Sequence, residues 1–203
     1  MKTRNASTNK EQILKITYLA LLTAIVFVIQ MFAGSIRIGG LFSITLVLLP
    51  IVLGSVIAGP IGGAWLGLVF ALAVFYTGDA SAFLAVNPFG TIVTVVLKGV
   101  LAGFFSGLVY KVIPKERPYL RAIIAAAVCP LVNTGIFLLG CIVFFLPTLS
   151  EWAVGLGFAS AGEYMIFGLT GLNFVVEFLT NVFLASVLVR LVNLLENQIG
   201  VRT

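Results

Sequence analysis

Histidine is absent from this chain, acidic residues number only 7, and 9% of the 203 residues are charged. Each shortage excludes something. Without histidine there is no HExxH zinc site and no histidine-based triad, and GxSxG and GxxxxGK[ST] are missing as well. Most hydrolase mechanisms are left without a base, and ATP hydrolysis at a Walker site without its phosphate loop. The two cysteines, Cys129 and Cys141, fall about three turns apart in one apolar stretch with no CxxC pair. They read as small buried residues with no redox or metal role, and no cofactor is expected. A soluble domain carries roughly 25% charged residues, so a soluble fold of this composition would be a core with almost no surface.

What fills the space is apolar. Hydrophobic residues make up 61% of the chain, and the mean hydropathy of +1.18 points to an all-α integral membrane protein. Six apolar stretches suit membrane spans of roughly 20 residues, over about 12–34, 44–58, 61–76, 88–112, 122–146 and 166–195. Short connections leave no room for a separate catalytic domain, so residues 1–203 are expected to form one membrane domain. The second stretch is short for a crossing and contains Pro50, and Gly59-Pro60 marks a tight turn into the third.

The net charge of +5 would suggest nucleic acid in a soluble chain, but the basic residues here gather at alternate connections. Lys2, Arg4, Lys10 and Lys15 precede or enter the first stretch, Lys111, Lys115, Arg117 and Arg121 follow the fourth, and Arg190 and Arg202 lie at the end of the sixth. By the positive-inside rule both termini, including a tail over 1–11, are expected in the cytoplasm. The first stretch shows no small-x-small cleavage site and is read as a retained span. Arg37 alone falls on the outer side. It reads either as a residue snorkelling to lipid phosphate or as a clamp for a substrate anion, on a loop loosened by glycines 34, 39 and 40.

Ionisable residues within a membrane cost on the order of 3 kcal/mol each on insertion scales. Two lie near mid-depth, Lys98 and Glu177. Asn87, Thr91, Thr94 and Lys98 recur at helical spacing in one narrow stripe, while Gly99, Gly103 and Gly107 form a separate ladder where a neighbouring helix can come close. Asn173, Glu177 and Asn181 repeat the pattern at successive i+4 positions, and Asn133 and Thr134 add polar groups to the fifth stretch. The candidate substrate-binding set is therefore Arg37, Asn87, Thr94, Lys98, Asn133, Asn173 and Glu177. A Lys98–Glu177 ion pair and interhelical hydrogen bonding by the asparagines are the purely structural readings of the same residues. Trp152 and Tyr164, in an expected outer loop of about 18 residues with Glu151 and Glu163, read as interfacial belt residues or as closures of the outer mouth.

Several local features together resemble the substrate-binding S components of energy-coupling factor vitamin transporters. They are the Ala20 and Ala24 pair within TYLALLTAI, the Leu49-Pro50 helix followed by GPIGGAWLG, the Asn133-Thr134 pair and NFVVEFLTN. The resemblance covers nearly the whole chain. It implies a six-helix, non-enzymatic protein that binds a micronutrient from outside under the loop after the first helix, and docks on a transmembrane coupling subunit carrying two ATPases. It also implies coupling-subunit docking at Ala20 and Ala24, whose i, i+4 spacing makes a flat face that would alternatively serve internal packing. Arg37 and Lys98 suggest an anionic vitamin such as pantothenate. A non-transport membrane scaffold and an independent ion-coupled transporter are the rival readings.

Overall fold

The computed structural model describes residues 2–33, 37–38, 42–43 and 46–199. It is helical apart from one two-residue pairing. The elements are α1 (Lys2–Ala33), β1 (Arg37–Ile38), β2 (Phe42–Ser43), α2 (Leu48–Thr77), α3 (Ser81–Val86), α4 (Pro88–Val112), α5 (Pro118–Gly155), α6 (Ala161–Glu163), a π-helical turn over Tyr164–Thr170, and α7 (Gly171–Ile199). The two strands pair antiparallel, Arg37 opposite Ser43 and Ile38 opposite Phe42. Among the described residues, α1 over Gln12–Phe32, α2, α4 and α5 are long and apolar enough to cross a membrane. The bent pair Ala161–Thr170 and Asn173–Ala185 passes the same test of length and composition only when its two helices are taken together as one span.

α2 is two helices back to back. Gly59 adopts φ +76°, and Pro60 follows it, where a fixed φ suits a helix start. A Cβ on Gly62 would lie 3.3 Å from the Gly54 carbonyl oxygen and one on Gly63 only 2.6 Å from the Ser55 Cβ. Residues eight apart in a continuous helix are separated by roughly 12 Å, so the chain reverses at Gly59-Pro60. The first arm, 48–58, rises roughly 17 Å, about half of the apolar thickness of a bilayer.

The glycine ladder meets the second arm of this hairpin. A Cβ on Gly63 would strike the Gly103 carbonyl and one on Gly67 the Gly99 carbonyl. A Cβ on Gly107 would lie 2.8 Å from Pro60. The two backbones thus run antiparallel in direct contact, one turn per step, and any side chain at these positions would force them apart. Ser55 and Ser106 Oγ atoms lie 3.2 Å apart behind the seam, and Ser106 donates to the Ala125 carbonyl at 2.9 Å, tying α5 to the same seam.

α1 packs on this core through Leu22, Val26 and Gln30, all buried and spaced by four residues. Ala20 and Ala24 are exposed on a different face, which removes them from internal packing.

α5 differs from expectation. Its 38 residues continue through Pro130 and Pro147 to Gly155, so Glu151 and Trp152 are helical rather than part of an outer loop. At 1.5 Å per residue the helix reaches roughly 57 Å, well beyond a bilayer's apolar core. Its last turns are held by packing: Phe145, Leu149 and Ala153 are buried against Tyr164 and Met165 in a second cluster. Trp152 meets the edge of Phe83 at 5.7 Å. A short turn follows, and α6 opens with a reciprocal cap in which Glu163 N donates to Ser160 Oγ and Glu163 Oε2 accepts from Ala159 N. Tyr164 is buried and sits 5.3 Å from Phe158. The sixth apolar stretch is also not one straight helix, because it bends by 45° at Gly171, after the π-helical turn.

Candidate functional site

One cavity of about 240 Å³ lies where α4, α5 and α7 come together under the α2–α3 connection. α4 presents Thr91, Thr94 and Lys98, α5 presents Asn133, Thr134 and Phe137, and α7 presents Asn173, Phe174 and Glu177. Helical spacing explains the convergence, since i, i+3, i+4 and i+7 positions share a face. α4 can turn this stripe inward because its glycine ladder occupies a different face. Gly140 of α5 adds to the fit: a Cβ there would collide with the Thr94 side chain.

The polar groups of the cavity are incompletely partnered. Gln30 Oε1, Thr94 Oγ1, Asn133 Oδ1 and Asn173 Oδ1 are buried and make no hydrogen bond. An orphaned buried polar atom costs about 1–3 kcal/mol. Four of the five such atoms among the described residues, all but Asn181 Oδ1, belong to residues that line this one space, where a polar ligand or water can satisfy them. Glu177 is buried, accepts from Asn173 Nδ2 at 3.4 Å, and through its carbonyl accepts from Asn181 Nδ2 at 2.8 Å. Lys98 Nζ lies 5.2 Å from the Phe137 ring centre and 5.6 Å from that of Phe70, distances suited to cation–π attraction. Lys98 and Glu177 face the same cavity, from α4 and α7.

Five of the seven expected binding residues, Thr94, Lys98, Asn133, Asn173 and Glu177, line this space. Asn87 does not. Its Oδ1 accepts from Gly90 N at 2.9 Å as the N-cap of α4, with Pro88 at the first helical position, a pairing that satisfies an otherwise orphaned helix donor. Arg37 is described only at the backbone, and its side chain lies outside the described residues.

The sequence reading missed Gln30, Asp79 and the aromatic wall. Gln30 Nε2 donates to Asp79 Oδ2 at 2.6 Å, and Thr77 Oγ1 donates to the same oxygen at 3.0 Å. Gln30 left a signal, as the one polar residue between Ala24 and Ala33. Phe70, Phe83, Phe137, Phe145 and Phe174 all line the cavity, but 17 phenylalanines in the chain give such positions no distinguishing mark. Phe83 stands edge-on to Phe145 at 5.0 Å and to Phe137 at 5.9 Å, linking α3 to α5 at the cavity's edge.

Residues 14–193 match the family model described as "ECF transporter, substrate-specific component". The chain belongs to this family. No curated protein and no solved structure matches it. The S component is therefore a multi-pass membrane protein whose work is substrate binding for transport, in a family of transporter subunits rather than enzymes. Such components bind a small molecule and associate with transmembrane and ATPase modules. Among the described residues no group of three or more metal-ligating side chains occurs.

Proposed function

We propose that this S component captures a small micronutrient by its polar groups in the cavity between α4, α5 and α7, and that Thr94, Lys98, Asn133, Asn173 and Glu177 hold those groups. The observation that carries the reading is the set of four unpartnered buried polar atoms on residues that line one space. A scaffold subunit would gain nothing from bearing that cost. The cavity sets Lys98 beside two carboxylates, Glu177 and Asp79, so a purely anionic ligand such as pantothenate is poorly matched. A head carrying both a donor cation and an acceptor anion, stacked against the phenylalanines, suits the lining better.

In the bilayer the two arms of α2 count as separate entries, giving six membrane-inserted segments with both termini cytoplasmic. The basic residues at 111–121 and in the first half of α1, Lys2, Arg4, Lys10 and Lys15, support this orientation. Ala20 and Ala24, on an exposed face of α1, dock the coupling subunit, and its paired ATPases drive release inward. The site is tested by native mass spectrometry of the purified protein with and without Lys98→Met. A retained small molecule lost from the variant is expected, and equal retention by both sinks the assignment of Lys98. Orientation is tested by impermeant labelling of single cysteines in intact cells: position 151 should react and position 116 should not.

A further inference from the structure

Beside the polar cavity lies a second, apolar cleft of about 650 Å³, walled by α5 on one side and by the π-helical turn and α7 on the other. Leu131, Leu138, Ile166 and Val175 line it. Thr134, Thr170 and Phe174 line both spaces, so the two adjoin through these three residues. The break in the helix pair falls on the cleft's wall, since Thr170, Gly171 and Phe174 around the 45° bend all line it. Gly135, in the middle of α5, faces open space, with nothing within 4 Å of a Cβ built on it. Leu131, Ile166, Phe167 and Val175 are each about half exposed or more, so the outer side of the cleft opens on the lipid flank.

We infer that the transported ligand is an amphiphile whose polar head occupies the cavity and whose flexible apolar tail passes between Thr134, Thr170 and Phe174 into this cleft. The inference rests on the proposed binding role of the cavity and extends it to the substrate class. The shared wall favours a tail on the ligand over a bilayer chain alone, because Thr134, Thr170 and Phe174 also line a cavity whose hydrogen-bonding groups an acyl chain cannot satisfy.

The test uses the full chain in phosphatidylcholine nanodiscs and a series of straight-chain α-amino acids: norvaline, 2-aminooctanoate and 2-aminododecanoate. Their zwitterionic heads match Lys98 and Glu177, and their tails are graded. By calorimetry, affinity should rise by about fourfold per methylene until the cleft is filled. Gly135→Leu fills the cleft from within, and Val175→Trp from the opposite wall. Each should flatten the rise while leaving norvaline affinity within about twofold, and Gly135→Ala should preserve it. An equal rise in both bulky variants would mean simple partition into lipid and would overturn the inference. So would norvaline binding with no rise at all, which would leave the cleft to bilayer chains and the cavity's role intact. If no member of the series binds, the zwitterionic head falls together with the tail.

Discussion

α4 carries two faces that obey opposite rules. Toward α2 it offers Gly99, Gly103 and Gly107, and the backbones touch with no side chain between them. Toward α5 and α7 it offers Thr91, Thr94 and Lys98, with Thr94 Oγ1 left without a partner. The first face gains stability from close approach and tolerates no added atom. The second gives up stability to keep hydrogen-bonding groups open. Membrane interiors supply little hydrophobic drive for helix association, so packing must hold the bundle; the glycine seam supplies it and lets the other face stay underpartnered.

The contrast breaks most violently at the seam. Gly103→Leu drives a side chain into the Gly63 backbone, and neither strand of the contact is a flexible side-chain tip. A loss of about 3 kcal/mol or more is expected, read as a collapse in yield and thermal stability in detergent. Wild-type stability in this variant would show that the seam can open.

On the polar face the main cost should fall on binding. Lys98→Met is expected to weaken ligand retention by about 1–3 kcal/mol, the range for a charge-assisted hydrogen bond, as measured by titration of the ligand recovered from wild type. Lys98→Met combined with Glu177→Leu sharpens this. Recovery of both expression and binding would make the pair structural, whereas recovered expression without binding keeps Lys98 in the site.

Asn133→Leu reverses the sign. Removing an orphaned acceptor should raise the stability of the unliganded protein by about 1 kcal/mol while binding falls, so melting curves with and without ligand should converge. A destabilised apo protein would mean that Asn133 is already satisfied.

The smallest intrinsic effect is expected on the exposed face of α1. Ala20→Leu should change stability by under about 0.5 kcal/mol and leave ligand affinity intact, yet abolish co-purification with the coupling subunit. Parallel loss of ligand binding would return Ala20 to the bundle interior.

Much of this division was legible in the residues. The i+4 ladder of glycines, the Gly59-Pro60 turn and the polar stripes on α4 and α7 are local patterns, and helical periodicity alone converts them into faces. Composition settled the solvent, because a chain with 9% charged residues cannot clothe a soluble core. What the sequence could not disclose depends on which helix meets which. Asn87 looked like a member of the polar stripe, yet the proline after it made it a cap. The fifth apolar stretch was expected to end near 146, but burial of Leu149 and Ala153 against Tyr164 carried α5 onward to Gly155. Gln30 and Asp79, 49 residues apart, meet only because α2 folds back on itself. Periodicity specifies a face without its partner, and hydrogen bonds between distant residues exist only after the helices have packed.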